Sequence, residues 1–310
     1  MDRPVDCPTC ESSTGASWLL EKNDCVLYRC ADCTHIFVHP VPDRAALARL
    51  YSFESGYMVG ADEVAHAAVP PKFVERVERL CSRRSSGRLL DVGCSFGQML
   101  RTARDAGFDP VGVETNPDTA AIARELGFEV VEGELEQAGF ENATFDIVHL
   151  GDLIEHVPDV FELLTEVRRV LRPDGLLILS TPNHAAFFPR ATWIFGRVFG
   201  VPWSHATPPD HLHQFSLSSL ARLFDRVGFQ TLDTFFEPIE LGYEIRATGA
   251  PSSLRRAIRE RRPLPAVRHA AASALAAVGY TLLASAERLL GRDRPRATMT
   301  VTARSAAAGP

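Results

Sequence analysis

The stretch from Arg88 to Leu100 reads RLLDVGCSFGQML and decides the fold. Its first half is a run of apolar residues typical of a buried strand, and its second half begins a helix near Gln98. Between them lies a tight turn that carries Gly93 and Gly97. An apolar strand that passes through glycines into a helix presents backbone N–H groups at the edge of an α/β sheet. The stretch therefore predicts a ligand-binding turn between a strand and a helix.

The residues of this turn narrow the class of ligand. A dinucleotide fingerprint has the form G-x-G-x-x-G, but Ser95 and Gln98 stand where its second and third glycines belong. The turn instead fits the form acidic-x-Gly-x-small-x-Gly, in which Asp91 is the acid that a ligand's ammonium could reach. This difference disfavours an NAD-linked oxidoreductase.

A second acid follows on the next predicted strand, which is Pro110–Glu114, PVGVE. Glu114 lies at the tip of this strand, 21 residues after Gly93. An acid at this position can accept hydrogen bonds from both hydroxyls of a ribose. The two strands together predict a nucleoside-containing ligand with an amino group.

Further strands extend the pattern to a sheet. From Arg88 to Asn183 the order is β-α-β-α-β-β-α-β with short loops, as a doubly wound sheet requires. The remaining predicted strands are Glu129–Gly133, Phe145–Gly151, Leu176–Thr181, one around Thr231–Phe236, and Ala297–Ala303.

Four cysteines near the N-terminus predict a metal site. Cys7-x-x-Cys10 and Cys30-x-x-Cys33 are separated by nineteen residues, which is the spacing of a four-thiolate zinc ribbon. Four protein ligands close the coordination sphere, so the predicted zinc is structural. Cys25 is a surplus thiol. His35 and His39 could replace a cysteine, and a redox dithiol is the weaker alternative.

The combination of these features resembles the class I S-adenosylmethionine (SAM)-dependent methyltransferases, in particular bacterial members related to the ubiquinone-type and sugar-methylating groups. The resemblance covers most of Cys7–Val227 and rests on the Gly turn, Glu114, the run FDIVHLGDLIEHV, the strand exit TPN and the run DHLHQFS. It implies an α/β fold with a doubly wound, mostly parallel seven-stranded sheet, a small zinc ribbon and helical insertions. The last strand is expected to lie antiparallel beside the sixth.

The resemblance also implies the residues that hold SAM. The Gly turn would cradle the methionine part, the acid of the second strand would hold the ribose, and an aromatic lid would cover the cofactor. The implied set is Tyr57, Asp91, Gly93, Cys94, Ser95, Gly97, Glu114, Thr115, Glu134, Leu135, Gly151, Asp152 and Leu153.

The expected organisation has three parts: residues 1–40 as the zinc-ribbon module, 41–87 as linker, helices and lid, and 88–305 as the methyltransferase domain. Two insertions interrupt the last part. Residues 184–213 are aromatic and form either a satellite core or a wall of the substrate pocket. Residues 250–291 combine an arginine-rich segment with an Ala/Leu helix. This insertion either packs on the core or, through residues 254–290, contacts an anionic membrane.

Histidines are the predicted acid–base groups, because attack by a hydroxyl on the methyl group requires removal of a proton near neutral pH. We expect His156 first and His211 second, with His184 and His213 as further candidates. If residues 211–213 are extended, His211 and His213 face the same way and could bind a metal.

Composition limits the partners. The 310 residues have 45% hydrophobic content and a formal net charge of −6, which argues against general nucleic-acid binding. No signal peptide is visible, so a cytoplasmic location is expected. The predicted acceptor is a small molecule of secondary metabolism such as a sugar, a polyketide or a lipid-linked metabolite, methylated on oxygen or carbon. The alternative is a nucleic-acid-binding or tRNA-modifying protein that uses the ribbon for recognition.

Overall fold

The computed structural model describes residues 5–12, 14–50, 68–199, 203, 205–237, 278–287, 289 and 295–306. Tyr57, the predicted lid residue, lies outside these ranges, as does most of the insertion at 250–291. None of the helices in the described ranges is long and apolar enough to cross a bilayer.

Eleven strands form two sheets in the described chain. They are β1 (Ala16–Lys22), β2 (Cys25–Cys30), β3 (Ile36–Val38), β4 (Arg88–Val92), β5 (Asp109–Glu114), β6 (Glu129–Glu132), β7 (Phe145–Gly151), β8 (Leu171–Pro182), β9 (His213–Gln214), β10 (Phe229–Glu237) and β11 (Thr298–Ser305).

The seven-stranded sheet has the order β10-β11-β8-β7-β4-β5-β6. The pairs from β8 to β6 are parallel, whereas β11 runs antiparallel to both β10 and β8. The predicted doubly wound, mostly parallel sheet with an antiparallel last strand is therefore confirmed. Its strand order reverses between β4 and β7, which is where such sheets bind ligands at the carboxyl ends of their strands.

Eight helices lie around the two sheets in the described chain. They are α1 (Arg44–Leu50), α2 (Pro71–Cys81), α3 (Gln98–Asp105), α4 (Pro117–Glu125), α5 (Val160–Val170), α6 (Phe187–Phe199), α7 (Leu217–Val227) and α8 (residues 278–287). Side chains cap four of them: Asp43 before α1, Asn116 before α4, Asp159 before α5 and Ser216 before α7. Each such cap satisfies backbone N–H groups that the first turn of a helix leaves unpaired.

The central strands are apolar because helices cover both faces of a parallel sheet. On β7, Phe145, Ile147, Val148 and Leu150 are fully buried. His149 is the one β7 residue that combines burial with a basic side chain, and it belongs to the site described below. Burial of each large apolar side chain contributes about 1.5–3 kcal/mol.

The strand after α5 differs from the sequence prediction at its start. The segment Arg172–Gly175 was expected to form a turn before a strand at Leu176, but β8 begins at Leu171. Leu171 pairs with Phe145 and Leu176 pairs with Ile147, so the four residues between form a bulge within the ladder. The side chain of Arg172 holds this bulge by donating to Asp146 Oδ2 at 2.7 Å.

The smaller sheet has the order β1-β2-β3-β9 and is antiparallel throughout. Its first three strands come from the cysteine-rich N-terminal segment. Its fourth strand, β9, comes from residues more than 170 positions later in the chain. Ile36 pairs with Gln214 and Phe37 pairs with His213.

Candidate active site

The Gly turn after β4 has a conformation that few residue types tolerate. Gly93, Ser95 and Gly97 all have positive φ, at 73°, 49° and 76°. A Cβ on Gly93 would lie 3.0 Å from Leu153 Cδ1, and one on Gly97 would lie 3.1 Å from Phe128. Glycine is required at these two positions because a side chain would be both strained and crowded. The turn therefore packs tightly against the segment that follows β7.

Glu114 fixes the other side of this turn. Its Oε2 accepts a hydrogen bond from the Ser95 N–H at 2.8 Å, and its Oε1 accepts one from the Asn116 N–H at 2.8 Å. The residue is 8% exposed, and burial raises the pKa of its carboxyl group. Each carboxylate oxygen keeps a second lone pair for a ligand hydroxyl. This geometry fits the predicted ribose contact.

Asp91 has a buried partner that sequence reasoning missed. Its Oδ1 lies 2.7 Å from Nδ1 of His149, and both side chains are almost fully buried. The two residues pair across β4 and β7 at the same level of the sheet. A Cβ on Gly151 would lie 2.4 Å from the His149 ring, so glycine at 151 makes room for it. The available signal was one polar residue, at matched positions, within the apolar stretch of each strand: Asp91 in β4 and His149 in β7.

A cluster of charges lies around Asp152, which has a positive φ of 53°. Ser180 donates to its Oδ1 at 2.9 Å, and Lys72 donates to its Oδ2 at 3.1 Å. Nη2 of Arg76 lies 3.6 Å from the same oxygen. Nε and Nη2 of Arg76 donate to Oε1 and Oε2 of Glu237, both at 2.8 Å. Burial opposes ionisation of Asp152, but Arg76 and Lys72 outweigh it and lower the pKa of this carboxyl. The basic residues of α2 were missed because their helix is distant from the site in sequence.

Glu155, His156 and His211 meet at the carboxyl end of β7. One nitrogen or oxygen atom from each of the three lies within 4.8 Å of the others. The rings of His156 and His211 are edge to face, with centroids 4.8 Å apart. Nδ1 of His156 lies 2.8 Å from the backbone oxygen of Asp210, and Glu155 Oε2 accepts from Thr181 at 2.9 Å.

The surroundings of the two histidines drive their pKa values apart. Burial alone would lower the pKa of His156, but the Asp210 carboxylate and the charge of Glu155 raise it to about 9. Burial lowers the pKa of His211 to about 3, and it raises the pKa of Glu155 to about 7. At neutral pH His156 is therefore a cation that can donate a proton, and His211 is a neutral ring that can accept one.

His211 Nδ1 is a buried polar atom with no hydrogen-bond partner among the described residues. A nitrogen of this kind can still bond to a ligand or a water. The condition under which His211 and His213 would face one way, an extended chain through both residues, is not met. His211 packs on His156, whereas His213 Nδ1 lies 3.0 Å from Nε2 of His35. The chain is not extended through both residues, because β9 begins only at His213.

The aromatic insertion after β8 packs in two clusters, one with α8 and one with the N-terminal strands and α1. Trp193 and Trp203 lie 5.1 Å apart, and Phe188 lies 5.8 Å from Tyr280. Trp203 donates through its ring N–H to the Pro189 oxygen at 3.0 Å. Most of its described aromatic rings thus belong to small satellite cores.

The other predicted cofactor residues lie along the same edge of the sheet. Cys94 is buried against Gly112, and burial raises the pKa of its thiol. Thr115 is exposed directly after β5. Glu134 precedes a short 3-10 turn at the end of β6, and Leu135 in that turn is buried in the core.

The four predicted metal-binding cysteines converge. Their sulfur atoms all lie within 4.8 Å of one another, with Cys7 and Cys33 3.6 Å apart and Cys10 and Cys30 also 3.6 Å apart. Tetrahedral zinc–thiolate sites with bonds of about 2.3 Å place sulfurs roughly 3.8 Å apart. The set therefore fits a structural zinc ion. Cys25 and His39 lie outside this group.

Comparison with known proteins agrees with this geometry. The family model described as a methyltransferase domain matches residues 65–234. A ubiquinone biosynthesis O-methyltransferase from Bordetella avium is 31% identical over 200 residues, covering 61% of this chain and 72% of that protein. The enzyme of the same name from Aliivibrio fischeri is 32% identical over 153 residues, covering 46% of this chain and 64% of that one. The chain spans only 57% of the length of a relative from Mycolicibacterium smegmatis.

Solved structures share the fold. The cyclase SpnF superimposes with a TM-score of 0.50 at 20% identity, covering 79% of this chain and 85% of that one. A protein from Bacillus halodurans C-125 gives a TM-score of 0.51 at 16% identity, covering 76% of this chain and 99% of that one. The chain belongs to the class I SAM-dependent methyltransferases.

Proposed function

We propose that the chain transfers the methyl group of SAM to a hydroxyl group of a small molecule, with His211 as the general base. The observation that carries this proposal is the edge-to-face contact between the His156 and His211 rings, whose centroids lie 4.8 Å apart, next to a His211 Nδ1 that has no hydrogen-bond partner among the described residues. The names of two relatives, both ubiquinone biosynthesis O-methyltransferases, support oxygen as the acceptor atom. Those names do not favour the nucleic-acid alternative.

The Gly turn and Glu114 are proposed to hold the cofactor. Backbone N–H groups of the turn would bind its methionine part, and the free lone pairs of Glu114 would bind its ribose hydroxyls. Lys72 and Arg76 add positive charge beside Asp152, which suits the cofactor's carboxylate. Bound SAM supplies an electrophilic methyl group on a sulfonium, and the protein supplies alignment and proton transfer.

The acid–base pair is proposed to act on the acceptor hydroxyl. As the oxygen attacks, its proton passes to the neutral imidazole of His211, and positively charged His156 stabilises the negative charge that develops. This reverses the sequence-based ranking of the two histidines. The reason is that Asp210 and Glu155, which lie beside His156, keep it protonated.

Leu153 connects the two halves of the proposed site. It contacts Gly93 in the Gly turn, and it lies three residues before His156. A methyl donor in the turn and a hydroxyl beside His211 would thus be neighbours, which is the alignment that in-line transfer requires.

The Cys7, Cys10, Cys30 and Cys33 set is proposed to bind one structural zinc ion. The fit of the sulfur spacing supports this, and so does the closure of the coordination sphere by four protein ligands.

Labelled methyl transfer tests the function. The purified chain would be incubated with methyl-labelled SAM and, separately, with catechols, other phenols, hydroxylated sugars and a tRNA pool. We expect label in one hydroxylated small-molecule class. Loss of that label in His211→Asn, with SAM affinity unchanged, would identify the base. Label on carbon, or on tRNA alone, would contradict the proposal.

A further inference from the structure

The N-terminal cysteine-rich segment is held by the same residues that carry the acceptor-side histidines. The cysteine module, defined here as residues 5–38, pairs its strand β3 with β9. The backbone extends this pairing by one residue, since the Val38 N–H donates to the Leu212 oxygen at 2.9 Å. His211 is thus adjacent in sequence to Leu212, which is hydrogen-bonded to the cysteine module.

Helix α7, which follows β9, contacts both Cys-x-x-Cys loops. At its first turn, Ser218 donates to the backbone oxygen of Cys33 at 3.3 Å. At its last turn, Arg226 donates to the backbone oxygens of Pro8 and Thr9 at 3.0 and 2.9 Å. Pro8 and Thr9 are the two residues between Cys7 and Cys10, so the shape of that loop depends on the cysteines on either side of it. Arg226 also pairs with Glu11.

The module contacts the chain before β9 as well. Lys22 donates to the backbone oxygens of Trp203 and Ala206 at 2.7 and 2.6 Å. Asn23 donates to the Pro208 oxygen at 2.7 Å. Contacts from the module therefore lie on both sides of Asp210 and His211 in the sequence.

The opposite edge of this segment contacts the loop after β7. The backbone N–H groups of Leu212 and His213 both donate to the backbone oxygen of Glu155, at 2.8 and 3.1 Å. The backbone oxygen of Asp210 lies 2.8 Å from Nδ1 of His156. The segment from 207 to 215 is thus located between the cysteine module and the proposed acid–base group.

We infer that the cysteine module is a positioning element for the acceptor side of the active site, acting through Arg226 and the β3–β9 pairing to hold His211 against His156. The inference rests on the proposed roles of the cysteines and of His211. It assigns Arg226 as a positioning residue, since its described partners are Pro8, Thr9, Glu11 and Phe161 and it touches neither histidine in the described structure. The cofactor edge at Gly93 and Glu114 receives no contact of this kind from the module among the described residues.

The test compares Arg226→Ala with Arg222→Ala, an exposed arginine on the same helix. Amide hydrogen exchange is followed on the full chain with zinc bound. We expect faster exchange at residues 207–216 in Arg226→Ala and unchanged exchange at residues 88–114. Removal of zinc by a chelator should have the same local effect. Exchange at 207–216 that neither Arg226→Ala nor zinc removal alters would overturn the inference.

Kinetics provide the second readout. Arg226→Ala should lower kcat for methyl transfer by about 10- to 100-fold, as expected for misplacement by about 1 Å. The Kd for SAM should stay within about twofold, and Arg226→Lys should restore part of the rate. Equal losses of rate in Arg222→Ala, or a matching loss of SAM affinity, would contradict a positioning role. If no acceptor is methylated at all, the proposed function fails, while hydrogen exchange still decides the present inference.

Discussion

The two halves of the proposed active site are built in different ways. At the core of the proposed cofactor side, the Gly turn and Glu114 come from one continuous stretch, β4 through β5, and Leu153 packs on Gly93 from the segment after β7. The proposed acceptor side is assembled from the loop after β7, from residues 205–216 and from the N-terminal cysteine module. Local sequence therefore determines the Gly turn and Glu114, whereas long-range pairing determines the acceptor side and also brings His149 and the basic residues of α2 to the cofactor side. Single substitutions should consequently separate donor binding from catalysis.

The largest effect is expected on the acceptor side. His211→Asn removes the proposed base but keeps a polar side chain of moderate size. General-base catalysis contributes about 10²- to 10⁴-fold, so kcat should fall within that range. Measurement of kcat and of the Kd for SAM in parallel checks this, and the Kd should be unchanged. A fall in kcat below about threefold would exclude His211 as the base.

The next effect belongs to the cofactor side. Glu114→Gln keeps the shape but loses the charge, and charge-assisted hydrogen bonds contribute about 1.5–3 kcal/mol. The Kd for SAM should therefore rise by about 10- to 100-fold. Asp109→Asn on the same strand, where the side chain is 79% exposed, is the matched control and should change nothing. Equal Kd values for the wild type and Glu114→Gln would show that Glu114 does not contact the ribose.

Acidification should destabilise the acceptor side before it destabilises the cofactor side. Burial lowers the pKa values of His184, His211 and His213 to about 3, about 3 and about 4. An unfolded imidazole protonates near pH 6.5, so below that pH the unfolded chain binds more protons and stability falls with the pH. At pH 5 the loss in the free energy of unfolding is at most about 2 kcal/mol for each of these histidines.

Hydrogen exchange corrected for intrinsic rates can locate that effect. Between pH 7.5 and 5.5, protection should decrease more at residues 205–216 than in β4 and β5. The contribution of His156 to stability changes with pH in the opposite direction, because its raised pKa of about 9 adds stability that is lost as the pH rises through that value. Uniform loss of protection in both regions would contradict the difference between the two halves.

The smallest effect concerns the surplus thiol. Cys25→Ala should leave zinc content at one ion per chain, whereas Cys33→Ala should abolish stoichiometric binding, because a tetrahedral site needs four ligands. Metal analysis of the two purified variants checks this. Zinc that is absent from the wild type, or that is lost equally in both variants, would contradict the proposed ligand set.

The same difference explains what the sequence could predict. The strands of the sheet and the positions of the Gly turn and Glu114 follow from hydrophobic runs and glycines, which are local signals, whereas the antiparallel last strand followed from the family resemblance. The Asp91–His149 pair, the basic residues of α2 and the contact between β3 and β9 depend on register between distant segments. Our proposal places His211 before His156 for a related reason: the carboxylate of Asp210, which lies far from His156 in the sequence, raises the pKa of His156.

Calorimetry with SAM, and separately with NAD, tests the central claim most directly. The wild type and His211→Asn should bind SAM with equal affinity and should not bind NAD, and Glu114→Gln should bind SAM at least about tenfold more weakly. A wild-type chain that binds NAD and ignores SAM, or a His211→Asn variant that loses SAM binding along with Glu114→Gln, would contradict the account.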